Sequence, residues 1–165
     1  LIEYLCPMLI RPIKKTDNLA IKEIIQGVIL EYGAPKVGTA YNDQATHDMY
    51  HHYQQARRAY FVIEDEGKVI GGAGIGPLEA ADEQYCELQK MYFLPQARGK
   101  GYGSQLMKAC LSHATALKYD YIYLETMDNM IEAQGLYKKV GFELLEKPLG
   151  STGHYSCPVQ MIKKL

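Results

Sequence analysis

Hydrophobic positions along the chain fall into two spacings, and their order predicts the elements. Ile21, Ile24, Ile25, Val28 and Ile29 recur at i, i+3 and i+4, the stripe of a helix with one buried face. Thr16 and Asp17 stand where it would be capped, and Gly33-Ala34-Pro35 where it would stop. A second and stronger stripe, Leu106, Met107, Cys110, Leu111, Ala114 and Leu117, predicts a helix over 101–118. Ala133, Leu136, Tyr137 and Val140 predict a third over 130–140, with Gly141 at C′. A weaker helix is read over 44–57, bearing Met49, Tyr50 and Tyr53. Between these lie strand-like runs at 8–14, 59–65, 68–78, 85–95, 119–127, 142–147 and 158–165. Glu66-Gly67 joins two of them as a hairpin turn.

The predicted order is β-α-α-β-β-β-α-β-α-β-β, which reads as one mixed α/β domain over 8–165. Residues 1–7, ahead of the cleaner strand at Met8, read as an upstream extension or an expression remnant. With 47% hydrophobic and 22% charged residues, the composition is that of a globular fold. A formal charge of −1 with interspersed signs gives no footprint for nucleic acid, and no run of 18 apolar residues predicts a membrane span. Cys6, Cys86, Cys110 and Cys157 are scattered without a CxxC, so neither a disulfide framework nor a zinc site is expected, and a cytoplasmic location is.

The stretch "QARGKGYGSQLM" (96–107) sets Gly99, Gly101 and Gly103 directly ahead of the strong helix. The first N–H groups of a helix lack intrahelical partners, and the dipole places about +0.5 charge there. Glycines let an anion approach those groups closely, and Arg98 and Lys100 add cations beside them. The spacing is neither GxxxxGK[ST] nor GxGxxG, so the P-loop and dinucleotide fingerprints both fail.

Arg98-Gly99-Lys100-Gly101-Tyr102-Gly103 resembles the (Q/R)xxGx(G/A) signature of the GNAT superfamily of acyl-CoA-dependent N-acetyltransferases. The preceding "LQKMYFLP" and the later "EAQGLYKKVGF" are similar to that superfamily's central strand and its A-x-x-x-Y-x-x-x-G-F helix and strand. The resemblance implies a central mixed, mostly antiparallel sheet flanked by helices on both faces. It also implies acetyl-CoA as cosubstrate, with no metal. Amides of Lys100, Gly101, Tyr102, Gly103 and Ser104 would grip the diphosphate beside Arg98 and Gly99. Main-chain groups of Met91, Tyr92 and Phe93 would pair with the pantetheine arm as with an added strand. The superfamily often has asparagine where this chain has Met130, and Asn129, one place earlier, is the remaining pantetheine candidate.

Transfer to an amine requires loss of the amine's proton and gain of one by the departing thiolate. By the resemblance, Tyr137 is the candidate acid and Glu87 the candidate base, with Glu125 on the neighbouring strand competing for the second role. His47 and His51 stand at i, i+4 but lack a third ligand, so they and His52 are read as a polar helix face. His154 is read at the edge of the acceptor pocket. Tyr32, Tyr41, Tyr50, Tyr53 and Tyr155 are expected around the acceptor, an amine of a small molecule, amino acid or peptide. A homodimer is left open. The contrasting reading is a non-catalytic acyl-CoA sensor on the same fold, and a nucleotide-binding module ranks behind both.

Overall fold

The computed structural model describes residues 8–165, so the 1–7 extension and Cys6 lie outside the described residues. Seven strands form one sheet: β1 (Leu9–Pro12), β2 (Ala59–Asp65), β3 (Lys68–Pro77), β4 (Tyr85–Phe93), β5 (Tyr121–Thr126), β6 (Glu143–Leu145) and β7 (Val159–Lys164). Their spatial order is β1-β2-β3-β4-β5-β7-β6, antiparallel throughout except for the parallel β4–β5 pair. The β2–β3 hairpin turns on Glu66 (φ 49°) and Gly67 (φ 76°), the two left-handed residues that match strand twist.

Helices cover both faces, as expected. On one, α1 (Asn18–Glu31) buries its predicted isoleucine stripe with Met49 and Tyr53 against Tyr60 and Val62. On the other, α4 (Tyr102–Ala116) buries Leu106, Met107, Cys110 and Ala114, joined by Tyr137 of α5 (Ile131–Lys139), against Ile75, Leu88 and Ile122. Asp17 stands at the start of α1 but does not cap it through its side chain. Its carboxylate instead accepts from the Arg11 guanidinium and the Lys14 N–H.

The helix expected over 44–57 is instead two short pieces, α2 (Gln44–His47) and α3 (Met49–Tyr53). Asp48 breaks the run at φ −147°, ψ 72°, and its side chain accepts from the His51 N–H, starting a new helix. His47 and His51 therefore share no continuous helical face, and both are exposed.

The glycine-rich β3 solves a packing problem. A Cβ on Gly72 would sit 2.6 Å from the Tyr60 ring, and one on Gly74 would sit 2.6 Å from both the Tyr60 ring and the Ala59 carbonyl oxygen. The bare strand lets Tyr60 lie across it, and the Tyr60 hydroxyl then donates to the Lys90 carbonyl at 2.8 Å.

Gly74→Val is expected to destabilise the fold by about 1–3 kcal/mol through overpacking. Gly27→Ala, in the exposed middle of α1 with open space at its Cβ, should stabilise by about 0.5–1 kcal/mol. Urea unfolding midpoints check both.

Candidate active site

β4 carries the site, because its ladders are interrupted on both sides. Pairing with β3 slips between Gly72↔Tyr92 and Gly74↔Gln89, and Lys90 adopts φ 51° at the slip. This β-bulge reverses the side-chain alternation. Gln89 accepts a hydrogen bond from the Tyr53 hydroxyl, while the next residue, Lys90, reaches Asp43, so both turn toward the α1–α3 side. Met91 and Phe93 consequently pack on the α4 side. Parallel pairing with β5 ends at Glu87↔Tyr123, so the two strands splay from that point.

A cleft of about 150 Å³ opens at the splay, lined by Met91, Tyr92, Phe93, Arg98, Gly103 and Tyr137 among others. Above it, the N–H groups of Gly99 through Ser104 have no main-chain acceptor among the described residues before α4 closes its first bond, Gln105 N–H to Gly101 carbonyl. Gly99 (φ 72°) and Gly101 (φ 79°) hold left-handed backbone that aims this run outward, with open space where a Cβ would stand. Gly103 serves packing: its Cβ would come within 3.1 Å of Leu136.

The Arg98 guanidinium is already engaged. It donates to both oxygens of Glu31 at 2.6 and 2.8 Å and to the Phe93 carbonyl at 2.9 Å, and it lies 5.6 Å from the Tyr32 ring centre. Arg98 thus ties the cradle to the end of β4 and to α1, rather than standing free beside it. Lys100 is exposed. Asn129 lines none of the cavities described here; its side-chain amide donates to the Tyr32 carbonyl at 2.9 Å, because one position along the chain turns it away from the cleft that Met130 lines.

A narrow throat of about 40 Å³ continues inward and shares Met91, Tyr92, Met130 and Tyr137 with the cleft. Tyr137 is buried, and its hydroxyl makes no hydrogen bond to any of the described residues. No buried side-chain polar atom among the described residues is both sealed and unpaired, so this hydroxyl faces the cavity. Burial pushes its pKa up, which keeps it protonated.

Glu87 and Glu125 line the same throat. Both oxygens of Glu125 are taken, one by the Tyr123 hydroxyl at 2.7 Å and the other by Thr152 at 2.5 Å. Glu87 is 7% exposed and accepts on Oε2 alone, from Gln89 at 2.8 Å. Oε1 is left to the cavity. Burial raises the Glu87 pKa, opposed in part by that hydrogen bond.

Beyond the throat a vestibule of about 210 Å³ shares Glu87, Gln89, Lys90 and His154 with it and adds Asp43, Arg58 and Thr152. Neither Asp43 nor Arg58 carried a sequence signal; both enter through long-range folding of loops onto β4. Asp43 pairs with Lys90 and, at 2.9 Å, with His154. Burial opposes ionisation of Asp43, but His154 and Lys90 outweigh it and hold the carboxyl at about 2. Burial likewise pulls His154 down, and Asp43 more than reverses it, leaving its pKa raised. Tyr32, Tyr41, Tyr50, Tyr53 and Tyr155, expected around the acceptor, do not line this vestibule. Tyr32 belongs to the cleft, Tyr53 is fully packed with its hydroxyl on Gln89, and Tyr155 is exposed. Cys86 and Cys110 are buried and Cys157 half-buried, all free, and burial raises each thiol, Cys86 and Cys157 to about 12.

The match to known proteins spans most of the chain. Residues 29–142 match the model of the acetyltransferase (GNAT) family. A protein of Escherichia coli K12, named Uncharacterized N-acetyltransferase YjgM, is 42% identical over 150 residues, 90% of each chain. In structure, the chain is similar to a GNAT-family acetyltransferase of Staphylococcus aureus Mu50, with TM-score 0.82, 20% identity, and coverage of 96% of this chain and 99% of that one. It is also similar to yncA of Salmonella typhimurium, a putative acetyltransferase solved with its cofactor acetyl-CoA, with TM-score 0.76, 21% identity, and coverage of 96% and 94%.

The depressed Asp43 carboxyl contributes stability that is present above about pH 4 and lost as pH falls toward 2. Asp43→Asn is expected to lower stability at pH 7 by about 1–2 kcal/mol, discounted for partial exposure. Chemical denaturation at a series of pH values should show the difference from wild type closing toward pH 2.

Proposed function

Because the chain belongs to the GNAT acetyltransferase family, we propose that its own residues carry out acetyl-CoA-dependent N-acetylation along the cleft, throat and vestibule. The carrying observation is that these three cavities run in series. Tyr137 stands at the junction of the first two, and Glu87 at the junction of the second and third.

The residues fit the cosubstrate. Six consecutive amides, Gly99 to Ser104, without main-chain acceptors among the described residues suit a diphosphate, and glycine leaves room for it. The splayed edge of β4 at Met91, Tyr92 and Phe93 suits the amide-bearing pantetheine arm. Bound there, acetyl-CoA supplies an activated acyl carbon and a thiol leaving group. Main-chain N–H at Met91 or Tyr92 polarises the thioester oxygen.

Glu87 Oε1 takes the amine's proton. Its raised pKa makes it a better base than an ordinary surface carboxylate. The amine nitrogen bonds to the acyl carbon, the carbon–sulfur bond breaks, and Tyr137 gives its proton to the sulfur. Solvent then restores both groups. Glu125, with both oxygens held by hydroxyls, orients the throat wall and is set aside as the base. Retention of an unpartnered Tyr137 hydroxyl and a free Glu87 oxygen favours turnover over the sensor reading. The acceptor is the amine of a small molecule or peptide. Free thiols fit a reducing, cytoplasmic setting; among the described residues no helix is long and apolar enough to cross a membrane.

Tyr137→Phe is expected to lower kcat by about 10²-fold with acetyl-CoA affinity retained. Glu87→Gln should lower kcat similarly and remove the rise of kcat with pH through the raised carboxylate range. Thiol release from acetyl-CoA, measured against pH and a panel of amines, checks both. Wild-type kcat in either variant removes that residue from its role.

A further inference from the structure

Most of the half-buried cations around the site have counter-ions among the described residues. Lys90 pairs with Asp43, Arg98 with Glu31, and Arg11 with Asp17 and Glu64. Arg58, immediately before β2, lines the vestibule with no carboxylate within ion-pair distance among the described residues. Its guanidinium lies over Gly76, where a Cβ would be 2.7 Å from Nη1 and 3.1 Å from the Gln89 amide oxygen. A side chain at 76 would evict it. Gly76 is also the register partner of Glu87 across the β3–β4 ladder. Arg58 therefore stands above the same stretch of sheet that presents the proposed base.

Among the described residues, the one hydrogen bond of the guanidinium runs from Nη1 to His52 Nε2 at 3.1 Å. Arginine only donates, so this ring nitrogen accepts and His52 is neutral. Burial first, then the Arg58 charge, lower His52 to about 4. His52 thus steers the guanidinium without neutralising it. Nε and Nη2 retain their donors for a ligand.

We infer that Arg58 receives a carboxylate of the acceptor, so that the substrate class is a small amino-acid-like amine with its amine at Glu87 and its carboxylate at Arg58. The inference rests on the transferase reading above and extends it to the acceptor. A planar guanidinium with adjacent free donors matches a carboxylate in bidentate fashion. A polyamine fits poorly. Its additional ammonium groups would meet Arg58 and Lys90, while Asp43 is already committed to Lys90 and His154. Of the remaining acidic groups lining the vestibule, Glu79 is exposed at the rim and Glu87 is needed for the transfer.

The test compares kcat/KM for a set of amino acids, each beside its carboxamide and its decarboxylated amine, with spermidine as the polyamine. Wild type is expected to favour at least one carboxylate-bearing amine over both of its counterparts by about tenfold or more. Arg58→Gln should collapse that ratio toward one, mainly through KM for the carboxylate substrate, and Arg58→Lys should keep part of it. Acetyl-CoA affinity measured on each variant reports an intact fold. Preference for spermidine or decarboxylated amines, or an unchanged ratio in Arg58→Gln, overturns the inference and leaves the transferase reading standing. Acetyl-CoA binding with no amine acetylated by wild type overturns both.

Discussion

The site depends on one hydrogen bond, from the Tyr60 hydroxyl to the Lys90 carbonyl. It pins the bulge that lets a single strand serve two faces. Without a bulge, residues 87, 89, 91 and 93 would share one side of the sheet. With it, Glu87, Gln89 and Lys90 turn to the acceptor side, and Met91 and Phe93 to the side of α4. The bond exists because Gly72 and Gly74 leave room for the Tyr60 ring. A small-residue strand therefore makes room for the tyrosine that holds the carbonyl of the left-handed Lys90.

Polar groups on the acceptor side interlock through that strand. Tyr53 donates to Gln89, and Gln89 donates to Glu87, so a fully buried tyrosine fixes which carboxylate oxygen stays free. Lys90 holds Asp43, and Asp43 holds His154 from the loop before β7. In a low-dielectric setting such chains give direction as well as energy. Around the cavity, Lys90, Asp43 and His154 are thereby paired before any ligand arrives, while Glu87 and Arg58 have no ion-pair partner among the described residues.

Much of the fold was legible in the sequence because it rests on local periodicity. The stripes of α1 and α4, the Glu66-Gly67 turn and the glycine cradle all declare themselves within a few residues. What escaped was non-local. Lys90 carries no signal for a left-handed backbone, and the hydroxyl that holds its carbonyl, on Tyr60, lies 30 residues away. The Arg98 side chain looked free because its partner Glu31 lies 67 residues earlier. The break at Asp48 is held by side-chain bonds, Asp48 accepting from the His51 amide and from Asn18, and Asn18 accepting from the Tyr50 amide, which helical spacing alone does not report. The acceptor tyrosines were named by type and approximate region, and packing sent them elsewhere. Glu87 could be singled out from sequence, but its advantage over Glu125 needed the hydroxyls of Tyr123 and Thr152 to be seen.

The most direct measurement is a crystal structure with coenzyme A bound. The account predicts the diphosphate within hydrogen-bond distance of the amides from Gly99 to Ser104, the pantetheine arm laid along Met91–Phe93 in the β4–β5 splay, and the sulfur beside the Tyr137 hydroxyl. Coenzyme density lying in the Asp43–Arg58 vestibule, or along α4 away from the splay, would contradict it.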